Sequence, residues 1–218
     1  MTDRVPPPAP TSGPHLLFGD APLSVWSAAD LLAEPWASFA AADDAILEGN
    51  PAEAVSQLAA VAVTPGLEPR HYLQAWHYLR LLGKSPEGAA ADAVLGVVAE
   101  VGLPDGTDVL AVYADGSQRY LNHAGGGIVW ERPDTSLDEL TEQVLGAAAG
   151  LATALEYWNE ERPTEPPVSG DARLSLLSPG GLKSAAGLQE GLTADPSAGP
   201  VLAAMTGVLS ALIARAKT

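Results

Sequence analysis

Three glycine-containing segments, spaced ten residues apart, constrain the fold of this chain more than any other feature. They are Asp105-Gly106, Asp115-Gly116 and the run that begins with Gly125-Gly126. Asp-Gly readily adopts the positive-φ conformations of tight hairpin turns. Between the turns lie runs rich in Val, Leu and Tyr, each long enough for one strand. The segment from Val94 to Glu131 therefore predicts a four-stranded antiparallel meander.

Helical periodicity precedes and follows this meander. Three helices are predicted between residues 29 and 82, a long amphipathic helix follows Asp134, and a last helix ends near Ala214. Residues 171–178 alternate as a fifth strand would. The fold class is therefore α+β, with N-terminal helical hairpins packed on an antiparallel sheet of four to five strands and two long helices in the C-terminal half. Because Val94–Leu103 is apolar on both sides, we expect helices on both faces of the sheet.

Changes in composition divide the chain into three parts. Residues 1–22 are rich in Pro, Ser and Gly without periodicity, which predicts a disordered or loosely ordered arm. Residues 23–93 form a predicted helical subdomain, and residues 94–218 form an α+β domain. Within the latter, the prolines of residues 160–170 predict an exposed linker.

The helical part contains one internal spacing of note. The segment Gly49–Ala54 recurs as Gly83–Gly88, an offset of 34 residues, and a leucine stands two positions before each leading glycine. Over about residues 37–93 this pattern resembles the tetratricopeptide repeat, in which a glycine lets two antiparallel helices approach closely. The match covers at most one repeat and a half. A generic helical hairpin over a sheet is the alternative.

Charge and cysteine content exclude several classes of function. The formal net charge is −16, from 27 acidic and 11 basic residues, and the basic residues form no run. Binding to nucleic acid or to an anionic membrane surface is therefore disfavoured. The chain has no cysteine, which excludes disulfides and thiolate chemistry.

No apolar stretch is expected to span a bilayer, the best being Met205–Ala214. Together with the abundance of Ala, Gly and Pro, this predicts a bacterial cytoplasmic protein.

Residues able to do chemistry are present, but no strong motif joins them. The spacing of the four histidines does not favour a shared metal site, and no cofactor is predicted; they are His15, His71, His77 and His123. Glu100 is a carboxylate inside an otherwise apolar strand, so it is the best candidate for an acid or base with a raised pKa. The favoured explanation for Glu100 is a salt bridge to Arg119 across the sheet.

Two groups of residues are candidates for binding. Aromatic and polar side chains concentrate on neighbouring strands, as on recognition surfaces or on strand pairs shielded by a helix; they are Tyr113, Arg119, Tyr120, Asn122, His123 and Trp130. A glycine-rich loop is predicted over residues 179–191, with candidate ligand contacts from Ser178, Gly180, Gly181 and Lys183. Lys183-Ser184 after glycines superficially suggests a phosphate loop, but the glycine required before the lysine is replaced by Leu182.

Three functions remain open at this point. The first is a non-catalytic interaction, accessory or sensor domain that binds another protein. The second is a small-molecule binding domain that uses the loop at 179–191. The third is an enzyme that uses carboxylates or a histidine without a recognisable motif. Homodimerisation is compatible with each of them.

Overall fold

A computed structural model describes residues 13–25, 34–158 and 160–216 of the chain. The strands are β1 (Gly96–Leu103), β2 (Gly106–Tyr113), β3 (Gln118–Leu121), β4 (Gly127–Trp130), β5 (Asp171–Ser178) and β6 (Gly181–Leu188). The helices are α1 (Gly13–Phe18), α2 (Trp36–Leu47), α3 (Pro51–Val63), α4 (Pro69–Leu81), α5 (Ala89–Asp92), α6 (Asp138–Ala152), α7 (Gln189–Ala194) and α8 (Ala198–Arg215), and a 3-10 turn covers Leu23–Val25.

The predicted meander is confirmed. Strands β1 to β4 pair antiparallel in succession, and the complete sheet has the order β4-β3-β2-β1-β5-β6. The turns lie at the three predicted places, with positive φ at Gly116 and Gly125. The α+β class is confirmed with them. Strand β5 pairs with β1 on the side away from β2, so β1 lies inside the sheet.

The sixth strand was not predicted. Residues 181–188 were assigned to a glycine-rich loop, whereas the structure pairs them with β5 over eight residue pairs, from Ser178↔Gly181 to Asp171↔Leu188. The segment Ala185-Ala186-Gly187 has neither the β-branched residues nor the alternation that indicate a strand. Its extended conformation depends on pairing with β5, which residue-by-residue propensity does not reveal.

Helices cover both faces of the sheet, as expected. We call one side the N-terminal face; its core includes Val98, Ala111 and Leu177, packed against residues of α1 and α4. The opposite side is the C-terminal face; its core includes Val97 and Leu110, packed against α6 and α8. Successive residues of a strand point to opposite faces, so β1 supplies buried side chains to both layers.

Helices α2, α3 and α4 share a separate apolar core, which includes Phe39, Leu58 and Leu79. Gly49 and Gly83 follow α2 and α4 with φ of 72° and 75°, so both glycines of the repeated segment adopt the conformation that ends a helix. After Gly83 the chain forms only the four-residue α5 before it enters β1. The tetratricopeptide-like spacing therefore covers one complete helix pair, α2 and α3, and the helix that follows.

The N-terminal segment differs from the predicted arm of residues 1–22. Residues 1–12 lie outside the described residues, but Gly13–Phe18 is helical, and Leu17, Phe18 and Ala21 are buried. The Tyr113 hydroxyl donates a hydrogen bond to the Leu17 carbonyl at 2.7 Å. Only a few apolar side chains anchor this segment, which is why its average composition predicted disorder.

Helix α8 is longer than the apolar stretch identified in the sequence. It runs from Ala198 to Arg215, and by length and composition alone it is apolar enough to cross a membrane, at a mean hydropathy of 1.5. Here its residues Val201, Val208 and Leu212 are buried in the core of the C-terminal face. The apolar stretch identified in the sequence was shorter because the N-terminal end of α8 consists largely of small residues.

Glu100 forms a salt bridge, but the predicted partner was wrong. Arg173 on β5 donates to both carboxylate oxygens of Glu100, at 2.6 and 2.8 Å, and both side chains are buried. β2 separates β1 from β3, so Arg119 lies two strands away, whereas Arg173 is directly opposite Glu100 in the register. A third hydrogen bond, from Arg173 Nη2 to the Glu165 carbonyl at 3.1 Å, ties the linker at 160–170 to the sheet.

Removing one partner of this buried pair should strongly destabilise the protein. We expect Arg173→Met to lower the free energy of unfolding by about 3–5 kcal/mol, because it leaves the Glu100 charge buried and unpaired. The double variant Glu100→Leu with Arg173→Met should lose less. Asp138→Asn, which breaks the more exposed pair of Arg132 and Asp138, should have little effect, because water screens an exposed ion pair. Urea unfolding measures all three, and equal losses for the two single variants would contradict this account.

His71 on α4 is a second buried polar group. Its ring meets the Trp36 ring edge-on at 4.7 Å, and its Nδ1 has no hydrogen-bond partner in the described part of the chain. Burial lowers the His71 pKa to about 4, opposed by the nearby Glu68 and assisted by Arg70. His71 is therefore neutral in the folded protein at pH 7.

This depressed pKa predicts a loss of stability in mild acid. In the unfolded chain His71 has the ordinary histidine pKa of 6.5. Between pH 6.5 and about pH 4 the unfolded chain therefore binds a proton at His71 that the folded chain does not. The free energy of unfolding should therefore fall by about 2 kcal/mol between about pH 7 and pH 5 from this residue alone. His71→Phe should show a correspondingly flatter pH dependence in urea unfolding. An unchanged slope in that variant would refute the assignment.

Candidate functional site

The six residues of the predicted recognition surface do not lie on one surface. Tyr113 and Arg119 are on the N-terminal face, where both are buried. Tyr120 and Trp130 are on the C-terminal face and pack beside its core. The strand alternation that the sequence shows places these pairs on opposite sides of the sheet.

Arg119 has a structural role at the N-terminal face. Its guanidinium donates to Glu131 at 2.6 Å and lies 4.0 Å from Glu68, which directly precedes α4. The same Glu68 also pairs with Arg70. These contacts form a charge network that joins α4 to β3 and to the segment after β4.

Two residues of that set, Tyr120 and His123, bond to Asp108 on β2, beside the hairpin between β3 and β4. One Asp108 oxygen accepts from the Tyr120 hydroxyl at 2.6 Å, and the other accepts from the His123 backbone N–H at 2.9 Å and lies 2.9 Å from His123 Nδ1. Burial raises the pKa of Asp108, but the hydrogen bonds outweigh this and leave it lowered. Burial and the bond to Asp108 raise the pKa of Tyr120 to about 12. Asn122 turns inward to cap its own loop, accepting from the N–H groups of Ala124 and Gly126.

The four predicted loop residues surround the tight turn between β5 and β6. Ser178 is buried, and its hydroxyl donates to the Gly181 carbonyl at 3.0 Å. The Gly180 N–H donates to the Ala91 carbonyl at 2.9 Å. A β-carbon at Gly180 would collide with the Tyr157 hydroxyl and the Ala91 carbonyl. Glycine is therefore required here because two other segments approach the backbone closely.

Lys183 lies on β6, two residues after Gly181, and its ammonium contacts other segments of the chain. Its ammonium donates to the Ala152 carbonyl at 3.0 Å, lies 3.2 Å from Asp92, and stands 4.5 Å from the Tyr157 ring centre. Hydrogen bonds from Tyr157 and Lys183 lower the pKa of Asp92. The cluster fastens β6 to α5 and to the segment after α6, so Lys183 does not serve as the lysine of a phosphate loop.

A cleft of about 460 Å³ opens on the other side of the turn. Its floor is apolar and consists of Leu73, Leu177 and Leu182, which belong to the core of the N-terminal face or pack against it. Its walls come from the end of α1 and the segment after it, from the C-terminal half of α4, from residues 158 and 160–162, and from the turn at 178–181. Three of the predicted loop residues, Ser178, Gly180 and Gly181, therefore line a concave site.

Arg80, near the end of α4, contributes the most distinctive polar group of this cleft. Its Nη1 donates to the Pro179 carbonyl at 2.5 Å. Burial lowers the pKa of Arg80, an effect that the nearby Tyr157 opposes. Its guanidinium is thus half-buried beside the turn, with a backbone carbonyl rather than a carboxylate as its acceptor.

The opposite wall contains a second arginine with a different environment. Arg162 pairs with Asp20 at 2.6 Å, and its guanidinium lies 3.9 Å from the centre of the Phe18 ring. This pair joins the N-terminal segment to the linker. Trp158 completes the wall: its N–H donates to the Leu182 carbonyl at 2.7 Å, and its indole N–H donates to the Glu161 carbonyl at 3.2 Å.

The site residues predicted from the sequence did not include Arg80, Arg162 or Trp158. One signal was available: Leu73, His77, Arg80 and Leu81 recur at the spacing of a single helix face, and all four line the cleft. Arg80 contacts Pro179, which is 99 residues away in the sequence. No local pattern of residues predicts a contact over that separation.

The chain was compared with family models, with curated proteins and with solved structures, and none of them matches it.

The close packing at the turn makes a direct prediction. Gly180→Ala should lower the free energy of unfolding by about 1–3 kcal/mol, because the added methyl group displaces Tyr157 or the backbone of α5. Gly146→Ala is the matched control, since nothing lies within 4 Å of the corresponding β-carbon on α6. That substitution should stabilise the protein by up to about 1 kcal/mol. Urea unfolding distinguishes the two, and a neutral Gly180→Ala would show that the contact is looser than described.

Proposed function

We propose that this protein is a non-catalytic binding domain of the accessory or sensor type, which acts in the bacterial cytoplasm and binds another protein through the cleft beside the β5–β6 turn. The observation that carries the proposal is the exposure of large apolar side chains at the cleft rim. Leu81 is 69% exposed and Trp158 is 41% exposed, and both line the cleft. Exposed apolar groups around a concave apolar floor favour contact with a partner.

The bonding of the chemically capable residues supports binding rather than catalysis. Glu100 is held by Arg173, both Asp108 oxygens accept hydrogen bonds, and the Ser178 hydroxyl is directed to a backbone carbonyl. A general acid, base or nucleophile needs to be within reach of a reacting group. These three side chains instead stabilise the sheet and its turns.

The size of the cleft favours a second candidate, a small-molecule binding protein. A volume of about 460 Å³ lies within the range of about 300–1,000 Å³ that small-molecule sites occupy. An apolar floor of three leucines is also typical of such sites. In this case the ligand would contact the turn at 178–181, at the start of the predicted loop over residues 179–191. Thermal-shift screening against metabolites tests this candidate.

The interaction proposal is tested by capture from the native lysate on immobilised wild-type protein and on Leu81→Glu. A stoichiometric partner should be retained by the wild type and lost from the variant, because a carboxylate at the rim would have to be desolvated on binding. Leu47→Glu is the matched control: Leu47 is 79% exposed near the end of α2 and does not line the cleft. A partner that still binds Leu81→Glu, or the absence of any partner, would refute the proposal.

A further inference from the structure

We infer that the cleft binds the C-terminal residue of a polypeptide, with its carboxylate on Arg80 and its apolar side chain on the floor formed by Leu73, Leu177 and Leu182. This inference rests on the proposed function and names the part of the partner that the cleft recognises.

Of the two arginines that line the cleft, Arg80 is the one without a carboxylate partner in the described part of the chain. Within residues 13–25, 34–158 and 160–216, a carboxylate ion pair is formed by Arg70, Arg119, Arg132, Arg162 and Arg173. Arg80 has no carboxylate partner in this part of the chain, although acidic residues outnumber basic ones in the sequence, 27 to 11. A half-buried guanidinium without a counter-charge favours an anion from outside.

The geometry of a guanidinium fits a carboxylate. Arginine presents five N–H donors in a planar fork that matches two carboxylate oxygens. Within the described part of the chain, the Arg80 guanidinium donates one hydrogen bond, from Nη1 to the Pro179 carbonyl. That bond also holds the side chain against the β5–β6 turn, so its orientation is set before a ligand arrives. Partial burial strengthens a charge-assisted hydrogen bond relative to one in water.

The surrounding charges limit the ligand to a single negative charge. Glu160 and Glu161 line the same cleft and are exposed, and the chain as a whole carries a formal charge of −16. Arg162 is engaged with Asp20, so it does not add a second free cation. A phosphate or a polycarboxylate would be repelled by this rim, whereas one carboxylate can reach Arg80.

The apolar part of the site indicates a chain end rather than a small free acid. The three leucines of the floor and Arg80 line the same cleft, and Leu81 and Trp158 extend its apolar lining to exposed positions. A ligand that covers the floor and the rim together must continue out of the cleft. A polypeptide that enters by its C-terminus does so, and its upstream residues cover the rim.

The test uses fluorescein-labelled peptides of the form Gly-Ser-Gly-X, with X as Leu, Ile, Val, Phe or Met, and fluorescence anisotropy with the full-length protein. Each peptide is prepared with a free C-terminal carboxylate and as the C-terminal amide. At least one free acid should bind, and its amide should bind about tenfold more weakly, because the amide loses the charge-assisted bonds to Arg80.

Variants of Arg80 and of the nearby Lys84 test whether Arg80 is the group that binds the carboxylate. Arg80→Met should weaken binding of the free acid about tenfold and leave binding of the amide unchanged, while Arg80→Lys should retain part of the affinity. Lys84→Met removes the same charge from an exposed residue that does not line the cleft, and it should have little effect. Thermal melts by circular dichroism establish that each variant is folded.

The outcomes separate this inference from the proposed function. If no free acid binds, or if acid and amide bind equally, the C-terminal carboxylate is not the recognised group, even where lysate capture still depends on Leu81. If octanoate displaces the peptide at equal concentration, the cleft recognises a small free acid rather than the end of a polypeptide. If no partner is captured from the lysate, the proposed function itself fails, whereas failure of the peptides alone overturns only this inference.

Discussion

Two-sided burial of strand β1 is the constraint on which the rest of this structure depends. Val97 and Ala99 point into the core beneath α6 and α8, while Val98 between them points into the core beneath α1 and α4. A strand of this kind cannot be solvated on either side without exposing apolar surface. Both helical layers are therefore needed, and the N-terminal segment has to fold onto the sheet rather than remain a free arm.

The few cations of this acidic protein serve mainly to join segments that are far apart in sequence. Arg173 joins the linker to β1 and β5, Arg162 joins the linker to the N-terminal segment, and Arg119 joins β3 to the segment after β4. Buried or half-buried pairs of this kind add little net stability but penalise alternative arrangements, since a misplaced partner leaves a buried charge. Arg80 differs because its acceptor is a carbonyl, and it faces the cleft.

The cleft is a product of this layered assembly. Its floor is the end of the apolar core of the N-terminal face, where α4 passes over the turn between β5 and β6. Its remaining walls come from segments that the ion pair of Arg162 and Asp20 brings together. A concave surface with an apolar base and one charged group thus arises without any contiguous motif.

The sequence by itself determined the meander, the fifth strand, the main helices and the α+β class, because turn glycines and apolar periodicity act over a few residues. It also identified Ser178, Gly180 and Gly181, which line the cleft. Only the tertiary structure decided that β6 is a strand, that Glu100 pairs with Arg173, and where the cleft lies. Strand order, ion-pair partners and concave surfaces depend on contacts between distant segments, which no local pattern of residues encodes.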